Sequence, residues 1–167
     1  MINKINKLPQ TEFIKVFANI FEKARWIAKE LYNQKPFDSF EELSSKMLGI
    51  FENTTREKKL EILNAHPNLA DKTKIGLLTP ESLREQNSVG LDQCTKEEFK
   101  EFQKLNDSYK KFGFPFILAV RDKAKNEILY IFRKRIFSNK KTEFDEAVKQ
   151  VKKIASLRLE EIKKNKF

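Results

Sequence analysis

Phe13, Val16, Phe17, Ile20 and Phe21 follow one another at intervals of three, one, three and one, and this interval recurs along most of the chain. Intervals of three and four place side chains on one face of a helix, whereas a strand needs an interval of two. Phe40, Leu43, Met47, Ile50 and Phe51 repeat the pattern, as do Phe99, Phe102, Leu105 and Tyr109. A further helix runs through Arg25 to Tyr32, ended by Pro36. Leu60, Ile62 and Leu63 mark another that stops near His66-Pro67, and Ile128, Leu129, Ile131, Phe132 and Ile136 mark one more. Helix-start signals stand between the patterned stretches. Ser39 and Thr54 or Thr55 are N-cap residues, and Thr79-Pro80 sets a capping hydroxyl before a proline at the first helical position. Thr95-x-x-Glu98 is a capping box, and its helix should stop at Gly113. Thr142 is expected to cap the last long helix, with Glu143 and Asp145 in its first turn. Phe114 to Val120 lacks helical polarity and is either a buried extended segment or the buried start of a helix. Four Gly and five Pro are too few for a turn-rich all-β fold. The expectation is an all-α, single-domain bundle of about eight helices over residues 1–167.

Composition narrows the function classes. Hydrophobic residues make up 40% and charged residues 35%, the balance of a globular chain, and fifteen Phe supply core bulk. The net charge of +10 invites a nucleic-acid reading. Lys, however, is spread through every segment and not gathered on one face, so a solvated surface is expected and nucleic acid is not. One Cys, Cys94, rules out an internal disulfide and fits a reducing compartment. With a single His and a single Cys the usual zinc sites are excluded, and no metal is expected. No run of about 18 apolar residues is present, so no membrane span is expected. MINKINKLPQ has no apolar signal core, and Asn165-Lys166-Phe167 is not a peroxisomal address, so the expected location is cytoplasmic.

Three groups of residues can carry chemistry. The last helix has an apolar stripe of Phe144, Ala147, Val148, Val151, Ile154, Ala155 and Ile162, and Arg158 falls on it. A guanidinium keeps its charge, and burying it unpaired is costly, so Arg158 requires an anion, either a protein carboxylate or a ligand. Ser82, Glu85 and Gln86 lie at i, i+3 and i+4 and share a helix face, as either an ordinary polar surface or a set of donors and acceptors for a small polar ligand. His66 precedes Pro67, which drives it out of helical geometry and fixes its backbone. An imidazole so placed suits acid–base work near neutral pH, although a lone His is more often a surface or capping residue. Cys94 has no neighbouring base and reads as inert. There is no phosphate-binding glycine loop, no GxSxG elbow and no lysine that stands out for Schiff-base chemistry.

In order, the chain shows His66-Pro67-x-Leu69-Ala70, Ser82-x-x-Glu85-Gln86-x-x-x-Gly90-Leu91, Leu105-Asn106-x-x-Tyr109, the run FGFPFILAV, Arg135 with Asn139, and Ile154-Ala155-x-x-Arg158-Leu159. Together these motifs resemble the 2-oxo-4-hydroxy-4-carboxy-5-ureidoimidazoline (OHCU) decarboxylases, from about Thr11 to Ile162. The resemblance implies a family-specific helical bundle, often dimeric. The implied reaction is conversion of OHCU to (S)-allantoin and carbon dioxide in urate degradation, without a cofactor. It also implies His66, Glu85 and Arg158 as catalytic residues, and Pro67, Ser82, Gln86 and the run Phe116, Ile117, Leu118, Ala119 and Val120 as the substrate-binding set. The implied partners are the small ureidoimidazoline and a second copy of the chain. Where the family usually shows HPDLAGK this chain has HPNLADK, so Asp71 replaces a glycine and a positive-φ turn is expected to change there. Val89 stands where Ala is common. Two other readings compete: a family member that binds a ureide without turning it over, and a basic helical domain with salt-dependent nucleic-acid affinity.

Overall fold

Most of the expected helix starts are where helices begin. The computed structural model describes residues 1–71 and 76–166, and every regular element among them is helical. Lys72, which closes the HPNLADK motif, and the terminal Phe167 lie outside the described residues. The first helices are α1 (Ile2–Lys7), α2 (Gln10–Phe17), α3 (Arg25–Tyr32), α4 (Phe40–Glu52) and α5 (Arg56–Ala65). Ser39 Oγ accepts the Glu42 N–H at 3.0 Å at the start of α4, and Thr55 Oγ1 accepts the Lys58 N–H at 3.3 Å at the start of α5. They are followed by α6 (Pro80–Ser88), α7 (Lys96–Tyr109), α8 (Lys125–Arg135) and α9 (Lys140–Asn165), with short 3-10 turns at Leu91–Gln93 and Lys110–Phe112. No helix among the described residues is long and apolar enough to cross a membrane.

The chain divides into two compact units. One comprises Met1–Ile62 together with the chain from Lys152 onward, the other Leu63–Val151. In the first, α2 packs on α3 and α3 on α4. Phe13 and Phe17 meet with ring centres 4.7 Å apart, and Phe21 meets Phe51 at 4.9 Å. Asn6 clips the start of the chain to the loop before α4, donating to Phe37 O at 2.8 Å and accepting the Phe37 N–H at 3.0 Å.

In the second unit Tyr109, Phe112, Phe114, Phe116 and Phe132 form one aromatic cluster, in which Phe116 stacks on Phe132 at 3.8 Å. The capping box of α7 is complete: Thr95 Oγ1 accepts the Glu98 N–H at 3.1 Å and Glu98 Oε2 accepts the Thr95 N–H at 3.0 Å. The chain leaves the turn after α7 at Gly113, with φ of 85°, a value that favours glycine. Residues 115–120 are neither helix nor turn, so this buried run is not the start of a helix.

Three expectations need correction. The helix through Phe13 ends at Phe17, and Ile20 and Phe21 are buried in the turn that follows. Their spacing reported burial, not helix. α1 was not expected, because in its six residues only Ile5 is buried. Thr142 does not cap α9. Its own N–H is taken by Asn139 Oδ1 at 2.9 Å, which makes Asn139 the cap and Thr142 the third helical residue.

Candidate active site

His66 is the first residue beyond α5. Its N–H closes a tight turn to Leu63 O at 3.2 Å, and Pro67 prevents the helix from continuing. The side chain is buried, 9% exposed, with Nε2 fully covered. The loop behind it is held by two amide side chains. Gln86 on α6 accepts the Ala70 N–H at 3.0 Å and donates to Asn68 O at 3.3 Å, while Asn106 on α7 donates Nδ2 to Leu69 O at 3.0 Å. Backbone groups of three consecutive residues are thus fixed from two helices. Ala70 has φ of 54°, a left-handed conformation unusual for a residue with a side chain, and these bonds pin it there. The positive φ falls on Ala70 and not on Asp71, so the Gly-to-Asp departure from the family pattern meets no left-handed strain.

Thr79 Oγ1 accepts the Ser82 N–H at 3.3 Å, and Pro80 opens α6. The helix places Ser82, Glu85 and Gln86 on one face, as the spacing requires. Ser82 and Gln86 are buried and Glu85 is half-buried. Because Gln86 grips the His66 loop, the helix carrying Glu85 and the loop carrying His66 are tied to each other directly. A shallow cleft of about 290 Å³, measured out into solvent, borders the same loop and is lined by Ala70, Asp71, Leu83, Gln86, Leu91 and Asp92. Neither His66, Ser82 nor Glu85 lines it.

The run Phe116–Val120 belongs to the same unit and is buried throughout. Its support is polar on one side. Arg135 Nη1 donates to Ile117 O at 2.7 Å, and Gln150 Oε1 accepts the Ala119 N–H at 3.0 Å. Arg135 is itself fixed by Glu143, with Nε and Nη2 donating at 3.0 and 2.9 Å, and its guanidinium lies 4.5 Å from the centre of the Phe116 ring. Tyr109 donates its hydroxyl to the same carboxylate. Burial, and then the bond to Glu143, push the Tyr109 phenol far up, so it remains a donor across the ordinary pH range.

Arg158 lies in the other unit, on α9. Of the two partners open to it, the protein carboxylate is present: Nη2 meets Glu22 Oε1 at 3.0 Å, both side chains being 2% exposed, and Nη1 donates to Asn19 O at 2.9 Å. Glu22 gave no sequence signal, since it sits in an irregular turn 136 residues away. Asn106, Gln150, Glu143 and Tyr109 were also not assigned roles, although Asn106 and Tyr109 belong to a quoted motif.

The family model for OHCU decarboxylase matches residues 6–160. The chain belongs to the OHCU decarboxylase family. It is 36% identical to the OHCU decarboxylase of Halalkalicoccus jeotgali, over 96% of this chain and 90% of that protein. It is 38% identical to a uric acid degradation bifunctional protein of Bacillus sp. strain TB-90, over 96% of this chain but only 32% of that one. The chain therefore spans about a third of the bifunctional relative and nearly all of the Halalkalicoccus jeotgali protein. Among solved structures, a crystal structure of (S)-allantoin synthase superposes with a TM-score of 0.77 at 28% identity, over 96% of this chain and 53% of that one. An OHCU decarboxylase crystallised in the presence of (S)-allantoin superposes with a TM-score of 0.72 at 20% identity, which supports the all-α fold.

Asn106 offers a direct check on the loop clamp. Its Oδ1 is buried and accepts no hydrogen bond from the described residues, so the side chain's measurable work is the bond to Leu69 O. Asn106→Leu keeps the volume and strands that carbonyl. The expected loss is about 1–3 kcal/mol in urea unfolding, with an unchanged denaturant slope.

Proposed function

We propose that the chain is a cofactor-independent carboxy-lyase that converts OHCU to (S)-allantoin and carbon dioxide in urate degradation. The observation that carries this reading is the tie between the His66 loop and the Glu85 helix through Gln86, in a chain that belongs to this family. The substrate supplies its own electron sink. When the bond to the carboxylate breaks, its electron pair forms a C=C bond to the neighbouring ring carbon, and the C=N pair moves onto the ring nitrogen, which takes up a proton. The hydroxyl then gives up its proton to become a carbonyl, and the ureido-bearing carbon gains a proton on one face, which sets the (S) configuration. The protein must anchor an anion, move three protons and exclude water.

The roles are assigned from the family resemblance and from the chemistry each side chain can do. His66 contacts the hydroxyl and carboxylate end and assists departure of carbon dioxide. Glu85 handles the proton at the neighbouring ring or ureido nitrogen. Arg158, oriented by Glu22, directs a guanidinium donor to a substrate oxygen, since a group with five N–H donors can serve both a carboxylate and a ligand. Ser82 and Gln86 orient the ureido and ring amides. Pro67 shapes the floor beside His66, and Phe116–Val120 supplies backbone groups and a dry wall. The chain acts as a single decarboxylase domain, residues 1–167, and works as a homodimer in the cytoplasm.

Binding of the product tests the site apart from turnover. Calorimetric titration is expected to show (S)-allantoin binding at least about tenfold more tightly than the (R) enantiomer, because the mirror image cannot satisfy the same fixed donors. Equal affinity for the two would contradict the assignment. Sedimentation at several concentrations reads the dimer.

A further inference from the structure

Side chains grip the run Phe116–Val120 at two points, and at its end Val120 O accepts the Lys123 N–H at 3.0 Å. Ile117 O is taken by Arg135 and Ala119 N–H by Gln150, two residues apart. In an extended chain, groups two residues apart point to the same side and those of the residue between them to the other. That intervening residue is Leu118, 6% exposed. Among the described residues neither its N–H nor its C=O makes a hydrogen bond. A buried backbone donor and acceptor left open together are uncommon. An adjacent donor and acceptor also match a ureide, which presents an N–H beside a C=O.

Gln150 controls this arrangement. It reaches Ala119 from α9, and its own Nε2 is tethered to Glu146 Oε1 at 2.8 Å, one helical turn earlier. The amide is therefore preset, with its oxygen toward Ala119 and its nitrogen toward Glu146. We propose that Gln150 is a positioning residue for substrate binding: by holding the Ala119 N–H it fixes the run so that the N–H and C=O of Leu118 face the ureide of the ligand. Gln150 touches only the wall, not the reacting atoms. The inference rests on the decarboxylase reading above.

The test uses the full chain and substrate generated in situ. Gln150→Met removes both polar atoms at similar volume. The expected result is a KM about tenfold higher, a matching loss of (S)-allantoin affinity and a kcat within about threefold of wild type, the signature of lost binding that is equal in ground and transition states. The double variant Glu146→Gln/Gln150→Glu reverses the tether while keeping an acceptor for Ala119 and the same net charge. It is expected to restore KM to within about threefold of wild type. An unchanged KM in the single variant, or a folded double variant that does not recover, would overturn the proposal. If Gln150→Met does not fold, Glu146→Ala reads the same claim through the tether. A KM rise of about threefold supports the proposal and an unchanged KM contradicts it. Wild-type protein that leaves OHCU decay unaccelerated removes the decarboxylase reading itself. Normal wild-type turnover with no KM shift in the variant removes only the role of Gln150.

Discussion

His66→Ala is expected to lower the rate of (S)-allantoin formation by about 10²–10⁴-fold, the usual contribution of a positioned proton-transfer group. His66 is the residue proposed for that role. It is buried, placed by Pro67 at a helix end, and carried on a loop whose backbone is fixed at Asn68, Leu69 and Ala70 by Gln86 and Asn106. The fold should tolerate the change, because the imidazole sits at the end of α5 and not within the aromatic cluster. kcat and kcat/KM should fall together, which separates a lost transition-state interaction from lost binding. Glu85→Ala should fall in the same range. Steady-state kinetics on substrate made in situ reads both, with far-ultraviolet circular dichroism as the control for folding. A loss of less than about tenfold in both variants would remove the acid–base assignment.

Glu22→Ala should destabilise the fold by about 3–5 kcal/mol, the cost of leaving a buried charge without its partner. Arg158 cannot shed its proton to escape, and Glu22 and Arg158 are each only 2% exposed. Such a loss is a large part of the roughly 5–15 kcal/mol that holds a domain of this kind folded. Glu22→Gln keeps an acceptor for the guanidinium and should cost less, about 1–3 kcal/mol. Urea unfolding of the two variants measures the order. Equal and small losses in both would mean that Arg158 draws its compensation from elsewhere and that Glu22 does not orient it.

What the sequence made legible was local. The spacing Phe40, Leu43, Met47 and Phe51 marked α4, and Arg25 to Tyr32 marked α3, because helical periodicity and capping act within a few residues. Thr95 and Glu98 were readable as a box for the same reason. The misplaced cap at Thr142 shows the limit of local reading: Asn139, three residues earlier, is as good a cap, and only the bond to Thr142 N–H decides between them. The demand that Arg158 find an anion was readable from its place on an apolar stripe, but the identity of that anion was not. Glu22 meets it across 136 residues of sequence. Asn106 reaches Leu69 across 37 residues and Gln150 reaches Ala119 across 31, and no periodicity joins such positions. Gln86 was legible as a candidate site residue, yet its grip on the His66 loop became visible only once α6 was set against that loop. The motif spacing therefore pointed to candidate residues, and the three-dimensional contacts added the groups that hold their loops and helices.

The central claim is stereospecific decarboxylation. The direct measurement generates OHCU from urate with a urate oxidase and a hydroxyisourate hydrolase, adds the purified chain, and follows circular dichroism through the decay. The expected result is rapid growth of the (S)-allantoin signal, dependent on protein concentration and abolished in His66→Ala and Glu85→Ala. Optically inactive product appearing at the spontaneous rate, in the presence of well-folded protein, would contradict the account.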